Sequence, residues 1–255
     1  MSKHSKPTGP RILAYDIERV PALAYTWGLY DQRIGINQVV LPGETVSWAA
    51  RWVGDPKSKV VFRSTFHHGK ERMLSDLWDL WDQADALMGW NSTGFDRKHV
   101  QTEFLLAGLN PPTPSKEIDL MRAVKRQFKF LSNKLDWVSG ELGVGKKIAH
   151  EGFGLWSKVM AGDERAWTRF QRYNEQDVHL LLDLYAKLLP WLPSNLNANL
   201  YGADGCPRCG QSGTLQSRGT RRTTVATYPR YWCAACGGWS TGTRRIDGVT
   251  TRAEN

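Results

Sequence analysis

Arg11-Ile-Leu-Ala-Tyr-Asp-Ile-Glu18 drives two carboxylates out of an otherwise apolar stretch. In an extended strand successive side chains leave opposite faces, so Asp16 and Glu18 share one face while Tyr15 and Ile17 take the other. Two like charges held so close repel. A divalent cation is the simplest compensation, and carboxylate oxygens suit Mg²⁺ or Mn²⁺ better than zinc. A strand end with two solvated acids would read the same, so the rest of the chain decides.

With 255 residues the chain can bury a sizeable core, and its length suits one main domain of about 150 to 200 residues plus a small module. No apolar run approaches the roughly 18 residues of a membrane helix. The opening Met1-Ser-Lys-His-Ser-Lys-Pro-Thr-Gly-Pro10 lacks the apolar core of a signal peptide, which implies an intracellular protein with no membrane partner. A net charge of +9, from 34 basic and 25 acidic residues, favours a polyanionic partner. That charge is concentrated: from Gly205 onward eight arginines face only Asp247 and Glu254. All four cysteines lie in the same segment as two close pairs, which in an intracellular chain points to a metal before disulfides.

Strand-like runs follow the first at Tyr25 to Tyr30, Thr45 to Val53 and Lys59 to Phe66, separated by Leu41-Pro-Gly43 and Gly54-Asp-Pro56. Met73, Leu74, Leu77, Leu80 and Trp81 recur at helical spacing within Lys70 to Ala84, and Asp85 to Trp90 reads as a short buried strand. A helix over Arg97 to Ala107 stops at Gly108, with three prolines beyond it. Helical signals resume at Leu120 to Phe128, Lys134 to Leu142 and Leu155 to Met160, and a long one covers Glu164 to Leu189. The expected fold class is α/β, a mixed sheet flanked by helices. Composition divides the chain into a flexible tail at 1–10, the main domain at 11–193, an Asn- and Gly-rich linker at 194–204, a cysteine module at 205–247 and a tail at 248–255.

Further polar residues fall at informative places. Asp96 closes Gly89-Trp-Asn-Ser-Thr-Gly-Phe-Asp96, where a strand gives way to a helix; such an acid either faces a ligand or caps the helix. Asn91 in the same stretch is equally open to either use. Tyr173 and Asp177 are four residues apart, which puts them one turn apart on one helix face, where a carboxylate can bind metal and a phenol can hold water. An exposed amphipathic helix would carry the same pair.

Together, Asp16 and Glu18 on a first strand, Asn91 with Phe95-Asp96 after a later strand, and Tyr173 four before Asp177 on a late helix resemble the three motifs of the DnaQ-like, or DEDD, 3′ to 5′ exonucleases. The resemblance covers roughly Arg11 to Pro193, and its nearest-looking members are phage-encoded exonucleases with a zinc ribbon behind the catalytic domain. It implies a ribonuclease H-like fold and, if the source is a phage, the host cytoplasm. The family divides by the residue assisting the last Asp, a His five before it or a Tyr four before it. Position 172 is Arg and Tyr173 is in place, so the chain resembles the tyrosine subclass. His179 then has a structural role. By analogy Asp16 would bridge two Mg²⁺ or Mn²⁺ ions, Glu18 and Asp177 would complete the site of the nucleophile-activating ion, Asp96 would support the second, and Tyr173 would orient the attacking water. Asn91 is a candidate contact for the terminal nucleotide or for the water shell of the second metal. Asp119 reads as a helix cap. Lys125, Arg126, Lys129, Lys134, Lys146 and Lys147 either line a phosphate path or form a solvated basic surface. His67, His68 and His150 have no companions at metal-ligand spacing.

Cys206-Pro-Arg-Cys209 and Cys233-Ala-Ala-Cys236 are two C-x-x-C pairs separated by 23 residues, the pattern of a closed four-thiolate site for one structural Zn²⁺. A module of about 45 residues is too small for a good core, so the metal must hold it together. Arg221, Arg222 and Trp232 are candidate contacts to phosphates and bases. Alternatively the ribbon docks a protein such as a replication partner.

These readings converge on a two-metal 3′ to 5′ exonuclease acting on single-stranded or frayed nucleic acid, DNA favoured over RNA. A ribonuclease H-like endonuclease also uses clustered acids but leaves Tyr173 unexplained. A zinc-ribbon binding or recruitment protein with an idle nuclease fold would be expected to have lost a metal-binding acid, and all four are present.

Overall fold

The computed structural model describes residues 9–148, 151–192, 196–202 and 204–252. The first eight residues, positions 149 and 150 (including His150), positions 193–195 and 203 and the last three residues lie outside them. Arg11–Leu184 forms one compact unit, and the chain from Tyr185 onward belongs to a second.

The first unit opens with β1 (Ile12–Arg19), a short hairpin of β2 (Leu23–Ala24) and β3 (Val39–Leu41), then β4 (Thr45–Trp52) and β5 (Val61–Ser64). It continues through α1 (Thr65–His68), α2 (Lys70–Asp82), β6 (Ala86–Gly89), α3 (Asp96–Leu106), β7 (Lys116–Asp119), α4 (Leu120–Gln127), α5 (Leu135–Glu141), α6 (Phe153–Met160) and α7 (Glu164–Leu188). The main sheet has the order β5-β4-β1-β6-β7. β1 pairs antiparallel with β4 and parallel with β6, so the sheet is mixed and β1 is its central strand. Helices flank it, giving the mixed α/β architecture expected from the sequence.

Burial explains the order. Leu13, Tyr15 and Ile17 of β1 join Trp48 and Ala50 of β4, Leu87 of β6, Met73, Leu74, Leu77 and Trp81 of α2 and Val100 and Phe104 of α3 in one core cluster. The α2 residues recur every three or four positions, the face a helix must turn to a sheet. A second cluster joins Val46 to Leu155 and Val159 of α6 and Ala166, Trp167 and Phe170 of α7. Asp16 and Glu18, on the face of β1 away from Tyr15 and Ile17, look toward α7, as the contacts below show.

Two expected strands are corrected. Only Leu23–Ala24 pairs in the first region, and Tyr25 to Tyr30 is irregular, with Tyr25, Trp27, Leu29 and Tyr30 exposed; beyond Tyr25, whose N–H donates to the Gln38 carbonyl at 2.9 Å, no strand among the described residues pairs with the run. The Lys59 to Phe66 strand ends at Ser64, whose hydroxyl accepts from the His67 amide at 3.2 Å and so starts α1 instead. β7 is not readable as a full strand from the sequence because three of its four residues are charged.

The second unit holds β8 (Leu215–Arg222), β9 (Ala226–Cys233), β10 (Trp239–Thr241) and β11 (Asp247–Gly248), all antiparallel to β9. Among the described residues no helix is long and apolar enough to cross a membrane.

Candidate active site

β6 pairs with β1 only where Ala86–Met88 faces Ile12–Ala14. The chain then leaves the sheet at Gly89, where a β-carbon would stand 2.7 Å from that of Ser92, too close for any other residue. From Asp16 onward that side of β1 lies open. Asp96, the first residue of α3, fills it: its Oδ1 accepts the Ile17 backbone N–H at 3.3 Å. Asp96 is thus tied to the central strand, and its own helix begins at Phe95 without a side-chain cap.

Asp16, Glu18 and Asp177 bring carboxylate oxygens to within 4.8 Å of one another. Octahedral Mg²⁺ with oxygens at about 2.1 Å spaces its ligands about 3 to 4.2 Å apart, so this donor set fits a hard divalent cation. Asp96 stands outside the three-oxygen cluster, but its charge is felt at both Asp16 and Glu18. Burial pushes the Asp16 carboxyl well above the usual range, helped by Asp177, Glu18 and Asp96 and opposed by Lys147. Burial and Asp177 push Glu18 up to about 8. Asp96 is pushed up to about 7 by burial, against the backbone amides that hydrogen-bond to it. Acids raised together by burial and by one another are costly to ionise until a cation joins them.

Tyr173 lies one turn before Asp177 on α7 and is 8% exposed. Burial, Asp177 and Glu18 push its phenol up to about 12, so it is neutral at physiological pH and can donate a hydrogen bond. His179, on the same helix, is exposed.

Two residues at this site escaped the sequence reading. Lys147, weighed there only as a phosphate-path residue, donates from Nζ to the Tyr173 hydroxyl at 3.1 Å and forms an ion pair with Asp177. Burial lowers its pKa, but Asp177, Tyr173 and Asp16 more than reverse that and hold it above its ordinary value. Asn174 donates from Nδ2 to Asp16 Oδ2 at 2.7 Å. Its place three residues before Asp177, on the same helix face, was the available signal.

Asn91 sits in the turn before α3 at φ +63°, and its N–H donates to Asp119 Oδ1 at 3.1 Å. Among the described residues no hydrogen bond joins Asn91 to the four acids. Asp119 caps α4 by accepting from the Arg122 amide. His67 contacts the Ser64 hydroxyl at 2.9 Å through Nδ1, and His68 accepts the Ser64 N–H at 3.3 Å.

In the second unit Cys206, Cys209, Cys233 and Cys236 have all four sulfurs within 4.8 Å of one another. Cys206–Cys236 and Cys209–Cys233 are 3.8 Å apart, far beyond the roughly 2.05 Å of a disulfide. A tetrahedron with about 2.3 Å zinc–sulfur arms has edges of about 3.8 Å, so the four thiols fit one Zn²⁺. Burial pushes the Cys233 thiol up, but bonds from the Thr214 hydroxyl and the amides of Cys236 and Ala235 outweigh it and bring it to about 6. Burial and neighbouring thiols push Cys236 up to about 12. Arg221 and Arg222 are exposed on β8, and the Arg218 guanidinium lies 5.6 Å above the half-buried Trp232 ring on β9.

Comparison with known proteins agrees with this architecture. The model of the RNase_H superfamily matches residues 45–189, more than half of the chain, and the chain belongs to that superfamily. The match begins at β4 and includes Asp96, Tyr173 and Asp177. Among solved structures, the family B DNA polymerase from the hyperthermophilic archaeon Pyrobaculum calidifontis superposes with a TM-score of 0.53 at 17% identity, over 88% of this chain and 32% of the polymerase. The chain therefore spans about a third of that polymerase, and the likeness is one of fold. No curated protein sequence matches the chain.

Proposed function

We propose that the protein is a metal-dependent 3′ to 5′ exonuclease of the tyrosine DEDD type that hydrolyses phosphodiester bonds at the 3′ end of single-stranded or frayed nucleic acid, with DNA favoured. The observation that carries this reading is the convergence of Asp16, Glu18 and Asp177 on a site bordered by Asp96 and Tyr173. Membership of the RNase_H superfamily and the likeness of fold to a DNA polymerase support a nuclease.

Asp16, Glu18, Asp96 and Asp177 would hold two Mg²⁺ or Mn²⁺ ions, which supply positive charge at the phosphate and acidify the attacking water. Tyr173, neutral at working pH, orients that water by a hydrogen bond and does not deprotonate it. Lys147 is within reach of both Tyr173 and Asp177 and offers a cationic group to that pair. The four cysteines hold a structural Zn²⁺, and Arg221, Arg222 and Trp232 of the ribbon give a second contact to the strand through phosphates and a base. Asn91 is a further candidate contact to the terminal nucleotide.

The test is to incubate the full chain with 3′- and 5′-labelled DNA and RNA oligonucleotides and with circular single strands, with Mg²⁺, Mn²⁺ or neither. Shortening from the 3′ end only, dependent on metal and absent on circles, is expected. Asp16→Ala should still bind a single strand yet leave the 3′ label intact. Cutting of circles would instead identify a ribonuclease H-like endonuclease, and undiminished digestion by Asp16→Ala would sink the assignment of the site.

A further inference from the structure

Behind the acids lies a buried polar chain that no motif accounts for. Asn174 Nδ2 donates to Asp16 Oδ2 at 2.7 Å and to the Asp16 carbonyl at 3.3 Å. Its Oδ1 accepts from the Ser47 hydroxyl at 3.1 Å. Asn174 and Ser47 are both fully buried, and Ser47 sits directly across the β1–β4 ladder from Glu18. Three elements distant in sequence, α7, β1 and β4, thus meet at one carboxamide.

The chemistry of that carboxamide is specific. Both Asp16 atoms that face it are acceptors, so its NH₂ end must point to Asp16, and its carbonyl end is left to Ser47. A lysine in its place would bring a fixed positive charge that competes with a metal ion. An aspartate would add another negative charge to a site already crowded with them. A neutral donor satisfies one oxygen of Asp16 and fixes the carboxylate's rotation without doing either.

From this we infer that Asn174, itself held by Ser47, is a positioning residue that orients the Asp16 carboxylate for the divalent cation and so sets the affinity of the site for metal. The inference rests on the exonuclease reading above and deepens it. Buried partners that orient a metal-binding carboxylate commonly change metal affinity by about 10- to 100-fold when lost, although they touch neither metal nor substrate.

Mn²⁺ binding to the full chain, followed by electron paramagnetic resonance in the absence of nucleic acid, tests it. Asn174→Leu is expected to weaken Mn²⁺ binding by about 10-fold or more. Ser47→Ala should weaken it less but in the same direction. Because Ser47 acts through Asn174, the double variant should be no weaker than Asn174→Leu alone. A folded Asn174→Leu protein that binds Mn²⁺ within about twofold of the unsubstituted chain overturns the inference, as does a double variant whose losses multiply. If Asn174→Leu does not fold, Ser47→Ala decides alone: a loss supports the inference and unchanged affinity overturns it. An unsubstituted chain that takes up no Mn²⁺ overturns the exonuclease reading and this inference together, whereas normal uptake in chain and variants alike removes only the inference.

Discussion

Lys147 and Asp177 form an ion pair inside the acidic site, the lysine side chain 27% exposed and the aspartate 2%. The ammonium also donates to the Tyr173 hydroxyl at 3.1 Å and lies 5.0 Å above that ring. A protein cation therefore occupies ground that a divalent metal ion would claim through Asp177. Opposite charges about 4 Å apart at a partly buried site attract by about 4 kcal/mol before desolvation, enough to matter in a competition.

Lys147→Met should therefore shift two measurements in opposite directions. Mn²⁺ binding without nucleic acid is expected to tighten by about 3- to 10-fold, because a competing charge is gone. Hydrolysis at saturating metal should slow, because the hydrogen bond from Lys147 that helps to fix the Tyr173 hydroxyl is lost. The metal-free variant should also melt lower, since the buried Asp177 loses the ion pair with Lys147. Calorimetric titration, initial rates and a melting curve read the three effects. Unchanged metal affinity would show that the ion pair does not compete with the cation.

The pH dependence of stability follows from the raised carboxyls. Glu18 sits at about 8 in the folded protein against 4.5 when unperturbed, and Asp96 at about 7 against 3.8. Between each pair of values the folded chain holds a proton that the unfolded chain has released, so stability falls as pH rises. These groups contribute their full stabilising effect below the unfolded values and lose it progressively as pH climbs toward 8. Without added Mg²⁺ or Mn²⁺ the melting temperature should decline as pH is raised from about 5 to about 8.5. Added Mg²⁺ should raise it more at the alkaline end, because bound metal displaces those protons and stabilises only the folded chain. Thermal melts at three pH values with and without Mg²⁺ check both slopes; a melting temperature that climbs with pH in the metal-free protein contradicts the assignment.

The legible and illegible parts of this site separate by the kind of signal they carry. Asp16 with Glu18, and Tyr173 with Asp177, announce themselves by short-range periodicity: two apart on a strand, four apart on a helix. The helices at Lys70–Asp82 and Asp96–Leu106 were equally readable, from an apolar stripe in the first and a Gly108 stop at φ +71° after the second. What could not be read depends on long-range closure. Asp96 is tied to a backbone amide 79 positions away, and Asn174 to a side chain 158 away, through sheet order that no local pattern specifies. Lys147 stood out from its basic neighbours only once the fold brought it to Tyr173 and Asp177. The exposed run Tyr25 to Tyr30 misled for the opposite reason: aromatic residues gave it strand propensity, but no neighbouring strand was there to pair with it.

Zinc content distinguishes the two candidate metal sites. The four thiols form a closed donor set with two sulfur–sulfur distances of 3.8 Å, whereas the acidic site offers only oxygen. One zinc per chain is expected by elemental analysis, retained through dialysis against Mg²⁺ buffer. Cys233→Ser should lower that content severalfold, since a hydroxyl is a much poorer zinc ligand than a thiolate. The β8–β9 region should then lose hydrogen-exchange protection, because a module this small depends on its metal. Zinc content unchanged in Cys233→Ser would remove that residue from the site.

Whether the cysteine module grips nucleic acid can be read from salt. Arg221 and Arg222 are exposed on β8, opposite Tyr228 and Thr227 of β9. Each phosphate neutralised on a single strand releases about 0.7 of a counterion, so two arginines in contact with phosphates should steepen the plot of log affinity against log salt by about 1.4. In a full chain carrying Asp16→Ala, to prevent digestion, Arg221→Ala with Arg222→Ala should weaken single-strand binding at low salt and flatten that slope by about this amount. Trp232→Ala should behave differently, lowering affinity by a similar factor at every salt concentration, because stacking on a base releases no counterions. Fluorescence anisotropy at several salt concentrations distinguishes the two effects. If neither variant changes affinity or slope, the ribbon does not hold the strand, and a protein surface becomes its better partner.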